Sequence, residues 1–223
     1  ASGASPDNFV GSAPFNTNVN SRRSLRRGLT RDEQENPLLH VPVSDLGPDA
    51  ALFAGGIDHY YYNEWSAAIS QLELLIGKYP GSFYTQKAQF LVPILYEKKY
   101  ADSLPAHFRE LTERYRDAVS RFPDSPFTGD AMLRMGKLYH QMKNYAEAQG
   151  YYNLALKSSP PDSSIALDAK LYTAVIFRLK GREQEAEALL QSVIDNTTDF
   201  YLKSQAMMEI AKILYDQNAF QDS

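Results

Sequence analysis

Arg22, Arg23, Arg26, Arg27 and Arg31 fall within ten residues near the start of the chain, a guanidinium cluster dense enough to bind an anionic surface. Lipid headgroups, nucleic acid or an acidic protein face would each satisfy it. Asp7 is the lone acid there, so residues 1–31 carry +4 and the remaining 192 residues −8. The same composition also suits a solvated linker, or an arm folded back on its acidic remainder. A net charge of −4 argues against a general nucleic-acid binder. Catalytic groupings are absent from the pattern. His40, His59, His107 and His140 are scattered, none forms an i, i+4 pair, and there is no cysteine, so neither a metal site nor a disulfide framework is expected. No Gly-x-Ser-x-Gly elbow and no phosphate-cradling glycine loop occurs. Glu183, Glu185 and Glu187 read as a solvated face beside Lys180 and Arg182. No catalytic residue and no cofactor is assigned, and the expectation is a non-enzyme.

Recognition is the remaining chemistry, and it needs a scaffold to position it. Between Asp130 and Pro161, Met132, Met135, Leu138 and Tyr139 recur at helical spacing, Lys143 and Asn144 interrupt, and Ala148, Tyr152 and Ala155 form a second stripe before Pro160-Pro161. The spacing predicts two helices packed as a hairpin. Gly136 and Ala148 are small enough to allow close approach, with Tyr139 and Tyr152 filling the adjacent holes. The frame recurs. Gly56, Trp65, Ala68, Leu72, Leu75 and Pro80 match it upstream; Ala174, Phe177, Ala186, Leu190 and Val193 match it downstream, and Ala211, Leu214 and Phe220 begin it again. A weaker copy has Leu91, Ile94, Tyr100 and Ser103, then Tyr115, Ala118 and Pro123. The small residue after each turn lies at 68, 103, 148, 186 and 223, giving gaps of 35, 45, 38 and 37.

On Met132, Met135, Gly136, Tyr139, Ala148, Tyr152, Ala155 and Pro160 the chain resembles the tetratricopeptide repeat (TPR) family. That resemblance implies an all-α fold, a right-handed superhelical solenoid of antiparallel helix pairs. The expected organisation is an extended or disordered arm over 1–48, then repeats at about 49–82, 83–125, 129–163 and 165–198, with an incomplete one at 203–223. Pro37, Pro42 and Pro48 are expected to keep the approach extended, and Thr30 to Glu33 has capping-box spacing. Tyr79-Pro80-Gly81-Ser82, Phe122-Pro123-Asp124-Ser125 and Ser159-Pro160-Pro161-Asp162-Ser163 should stop one helix and cap the next. Pro93, inside an apolar run, is expected to kink or restart its helix. The longest gap should hold a long amphipathic helix along Leu104, Phe108, Leu111, Tyr115, Val119 and Phe122, either a docking ridge or a core cover. The last copy is expected to start a second helix at Phe220 and breaks off there, so a longer repeat protein is expected.

In the TPR family the first helix of each repeat lines a concave groove, which implies that its solvent-facing positions contact partners. Those positions are Tyr60, Tyr61, Gln89, Tyr96, Arg134, Lys137, Gln141, Tyr172, Arg178, Glu209 and Lys212. Phe53 and Ile57 stand where a carboxylate clamp of the family's chaperone-tail binders would need Lys and Asn, although Arg134 and Lys137 could hold an isolated acidic group. The phrase RFPDSPFTGDAMLRMGKLY is similar to repeats of bacterial cell-envelope members, such as the outer-membrane assembly lipoprotein of the β-barrel machine and the Tol-Pal system coordinator. That similarity implies an interaction scaffold at the periplasm or outer-membrane periphery in preference to the cytoplasm. Its partner would be another protein or peptide within a larger complex, with membrane-surface contact through the arginine arm. Residues 1–31 lack the apolar core of a signal peptide, and any lipidated cysteine would lie outside this sequence. The alternative is an accessory module of a larger enzyme or secretion machine whose active part lies elsewhere.

Overall fold

A computed structural model describes residues 37–39 and 47–221, with side chains to residue 217. It is all-helical, a TPR-like solenoid. A 3₁₀ turn at Pro37–Leu39 precedes α1 (Pro48–Tyr61), α2 (Trp65–Lys78), α3 (Phe83–Lys99), α4 (Leu104–Arg121), α5 (Thr128–Gln141), α6 (Tyr145–Lys157), α7 (Ser164–Leu179), α8 (Glu183–Asn196) and α9 (Phe200–Gln221). Each odd-numbered helix packs against the even-numbered one that follows, α1 with α2, α3 with α4, α5 with α6 and α7 with α8; α1 also touches α3, and α7 touches both α5 and α9. The arginine cluster, His40, Pro42 and the Thr30–Glu33 box lie outside the described residues.

The small positions explain the pairing. A Cβ on Gly136 would lie 2.4 Å from Tyr152 Cε1, and one on Gly56 would lie 2.6 Å from Leu72 Cδ2. The second helices therefore press their bulky residue onto bare backbone. Ala68, Leu72 and Leu75 in α2, Ala148, Tyr152 and Ala155 in α6, and Ala186, Leu190 and Val193 in α8 are all fully buried. Burying each such large side chain is worth about 1.5–3 kcal/mol.

Three of the turns within pairs share one conformation. Asn63, Lys143 and Gly181 each have φ between 56° and 70°. The residue after each donates its N–H five residues back, Glu64 to His59, Asn144 to Tyr139 and Arg182 to Phe177, which closes the preceding helix with a left-handed residue. The second pair departs from this. Its helices are longer, 17 and 18 residues, and are joined by a 3₁₀ turn at Ala101–Ser103. The extra length of α4 covers core: Leu111 and Tyr115 are fully buried, and Leu104, Phe108, Val119 and Phe122 pack against the cluster they belong to.

Several expectations need correction. Pro93 does not restart its helix, because α3 runs through it from Phe83 to Lys99 with Val92, Pro93 and Ile94 buried. Close packing on this helix holds the chain helical despite the missing N–H. Pro48 opens α1 at its first turn, where a missing N–H costs nothing, so it does not extend the chain. Part of the arm is packed as well, because Leu38 and Leu39 are buried. Ser82 and Ser163 cap α3 and α7, accepting from Tyr84 N–H at 3.0 Å and Ala166 N–H at 3.2 Å, whereas Ser125, three residues before α5, accepts from Phe127 N–H at 3.3 Å. Finally, α9 continues to Gln221, so no turn separates Leu214 from Phe220.

Gly136→Ala should lower stability by about 1–3 kcal/mol, because the new methyl overpacks against buried Tyr152. Gly150→Ala, mid-helix in α6 with open space around its Cβ, should raise stability by up to about 1 kcal/mol. Chemical denaturation of the two variants checks the pair; equal shifts would show that close approach is not what Gly136 provides.

Candidate functional site

The first helices α1, α3, α5, α7 and α9 carry the candidate partner-binding residues. Tyr60 and Tyr61 are buried, their rings 5.5 Å apart and edge-on, with Tyr60 also 5.8 Å from Trp65. Gln89 and Tyr96 are buried too. The expectation that these four face solvent therefore fails: α3 is enclosed by helices before and after it, and its aromatic and amide positions are used in packing. The Tyr96 ring still touches the outside through a charge, since the Arg114 guanidinium lies 3.7 Å from its centroid. Its hydroxyl donates to Glu73 at 3.4 Å, and burial pushes its pKa up.

Further along the row the residues meet in cross-repeat pairs. Arg134 of α5 donates to Glu97 of α3 at 3.2 Å and to Asp130, one turn back, at 2.8 Å. Buried Tyr115 donates its hydroxyl to the same Glu97. Burial works against the charge on Arg134, and Asp130, Tyr115 and Glu97 more than offset it, so the guanidinium stays ionised. Lys137 donates to Asp168 of α7 at 2.7 Å and lies 4.8 Å from the Tyr172 ring centroid. Arg178 of α7 pairs with Glu209 of α9 at 3.1 Å and with Asp216 at 3.6 Å, and Lys212 reaches Glu209 at 2.5 Å. Gln141, at the end of α5, is exposed.

Arg134 and Lys137 are thus engaged within the chain and are not idle holders of an acidic group. Each junction from the second repeat onward has such a pair, Glu97–Arg134, Lys137–Asp168 and Arg178–Glu209. Sequence reasoning missed Glu97 and Asp168. The available signal was an opposite charge on the next first helix, but without the repeat register no spacing in the sequence connects them.

Behind the row lies an aromatic cage. His140 accepts or donates at 3.3 Å with the Tyr152 hydroxyl through Nδ1, and its ring is 5.2 Å from Tyr145 and 5.9 Å from Tyr172. Burial lowers the His140 pKa from its ordinary value and raises that of Tyr152, so both the imidazole and the phenol favour their neutral forms.

At the far end, α9 buries Leu202, Ala206 and Ile213 toward α7 and α8 but exposes Met207, Met208, Ala211, Leu214 and Tyr215. In the repeat frame Met208, Ala211 and Leu214 stand where Leu171, Ala174 and Phe177 of α7 join the core shared with α8. Among the described residues no group of three or more His, Cys, Asp or Glu could hold a metal ion, and no helix is long and apolar enough to cross a membrane.

Residues 130–161 match the family model of the tetratricopeptide repeat. Over 154 residues the chain is 28% identical to the outer membrane protein assembly factor BamD of Caulobacter vibrioides, an alignment covering 68% of this chain and 48% of that protein. The chain spans about half the length of the relative it matches. It is a helical-repeat chain that resembles this assembly factor.

Two outcomes follow from the geometry. Glu97→Ala or Arg134→Ala should cost about 1–3 kcal/mol by removing a charge-assisted hydrogen bond from a partly buried network, and a double-mutant cycle should return a coupling larger than that of the exposed pair Arg109–Glu113. Equal couplings would show that the junction pair is only surface decoration. Because the His140 pKa is lowered in the fold, the unfolded chain takes up its proton first as pH falls below about 6.5, and stability falls with it. His140→Gln should flatten the stability profile between about pH 7 and 5, read from denaturation midpoints; an unchanged slope would rule the imidazole out.

Proposed function

We propose that this chain is a non-enzymatic scaffold that holds a partner protein or an extended peptide along its row of first helices, as a subunit of a bacterial cell-envelope assembly complex. The observation that carries the reading is the ordered row itself. Charged and aromatic groups on α5, α7 and α9, Tyr172, Arg178 and Lys212 among them, are held in fixed geometry by internal pairs, and with exposed Gln141 they form a preorganised polar and aromatic strip. Preorganised Tyr and Arg surfaces recognise proteins at low entropic cost. Similarity to an outer membrane protein assembly factor supports placement at the periplasm or the periphery of the outer membrane. On the same reading Arg22, Arg23, Arg26, Arg27 and Arg31 supply contact with an anionic membrane surface.

Charge reversal at Arg134 or Lys137 would read folding before binding, because both are paired internally. A photo-crosslinking side chain at exposed sites avoids this. Placed at Gln141 and at Lys212 in cells, it should give a discrete adduct with an envelope protein, while the same group at Ser120 of α4 and Gln191 of α8, exposed on second helices, should not. Adducts at all four sites, or at none, would defeat the assignment of the first-helix row.

A further inference from the structure

Lys87 on α3 is buried, the lone lysine, arginine or carboxylate so placed among the described residues. Its ammonium donates at 2.8 Å to the main-chain carbonyl of Pro37. It also lies 5.3 Å from the Phe83 ring centroid and 5.9 Å from that of Phe53, an α1 residue whose ring is 5.2 Å from Tyr84. Pro37–Leu39 packs on α3, and the side chains of Leu38 and Leu39 are 3% and 2% exposed. A three-residue turn from outside the helical frame therefore sits on the row of first helices at its N-terminal end.

The chemistry of the contact is that of peptide capture. A lysine in an apolar site is costly to bury, and burial alone lowers the pKa of Lys87. A position needed only for packing would be met by Leu or Met. The ammonium spends a hydrogen bond on a peptide carbonyl, a group every chain presents, while two successive leucines are buried in the core cluster that also holds Phe53 and Tyr84. Main-chain capture combined with side-chain pockets is how peptide segments are held.

We propose that α1 and α3 form a binding site for a segment carrying two adjacent leucines in a 3₁₀ turn, and that Pro37–Leu39 occupies it in cis in place of a partner's segment. This deepens the scaffold reading and rests on it, since it names the partner chemistry at one end of the same row. Tethered to α1 through residues 40–47, the cis segment competes at an effective concentration of the order of millimolar. The site is self-occupied until a partner of that sequence displaces it.

The test uses the full chain and a fluorescent peptide of residues 33–42, with a control peptide in which both leucines are serine. The variant Leu38→Ser/Leu39→Ser, shown folded by circular dichroism, should bind the leucine peptide saturably and leave the control unbound. Wild type should bind it at least tenfold more weakly, and adding Lys87→Met to the variant should weaken it at least tenfold. Absence of saturable binding by the folded variant, or equal binding of both peptides, overturns the proposal. If the variant does not fold, a protease site placed within residues 42–46 of wild type and cut after folding replaces it. The freed segment should stay associated and be displaced by the leucine peptide alone; displacement by both peptides or by neither overturns the proposal. Failure here with the Gln141 adduct intact removes only the leucine site, whereas the reverse result removes only the envelope reading.

Discussion

Contact between bare backbone on one helix and a bulky side chain on the next sets the distances on which everything else depends. Gly136 receives Tyr152 and Gly56 receives Leu72, in each case at a separation that leaves no room for a methyl group. With the pair drawn that close, a second helix of 13 or 14 residues is long enough to cover its first helix. The left-handed turns at Asn63, Lys143 and Gly181 then reverse the chain in the fewest residues. A looser approach would need longer turns and would leave the apolar stripe of the first helix wet.

Closeness within a pair also leaves the other side of each first helix to be buried elsewhere. In α5, Leu133 and Tyr139 join the core shared with α6 and α7, while Ala131, Met135 and Leu138 join the one shared with α3 and α4. In α7, Ala169 and Ile176 face one cluster and Leu167, Leu171 and Ala174 the other. The first helices are thus apolar on two sides, which forces stacking in a line. What remains to them is a narrow strip, and it is there that the junction ion pairs and the ring of Tyr172 are found.

The helix pairs were legible in the sequence because the small and bulky residues recur at fixed offsets, as at Ala148, Tyr152 and Ala155 and again at Ala186, Leu190 and Val193. Which aromatic faces water was not legible. Tyr60 and Tyr96 have the same side chain as Tyr172, and only the helices stacked beside them decide burial. Pro93 misled for a related reason: the local rule for proline counts one lost hydrogen bond, whereas α3 is held by packing along its whole length. The contact of Lys87 with Pro37 spans 50 residues and two structural classes, beyond any periodicity. Nothing in the pattern of the arm distinguishes a pair of leucines that docks from a pair that does not.

The junction pairs carry a further meaning for how such chains are assembled from parts. Lys137 reaches forward to Asp168, and one repeat length of 38 residues before Asp168 stands another aspartate, Asp130, at the same place in α5. The third repeat therefore holds both halves of its own forward junction. That complementarity is only partial, because Asp130 already serves Arg134, and Arg134 stands one repeat length before Tyr172. A second copy placed after the first would bring a guanidinium to Lys137 where the ring of Tyr172 now lies, so the seam is specific to the order of its repeats.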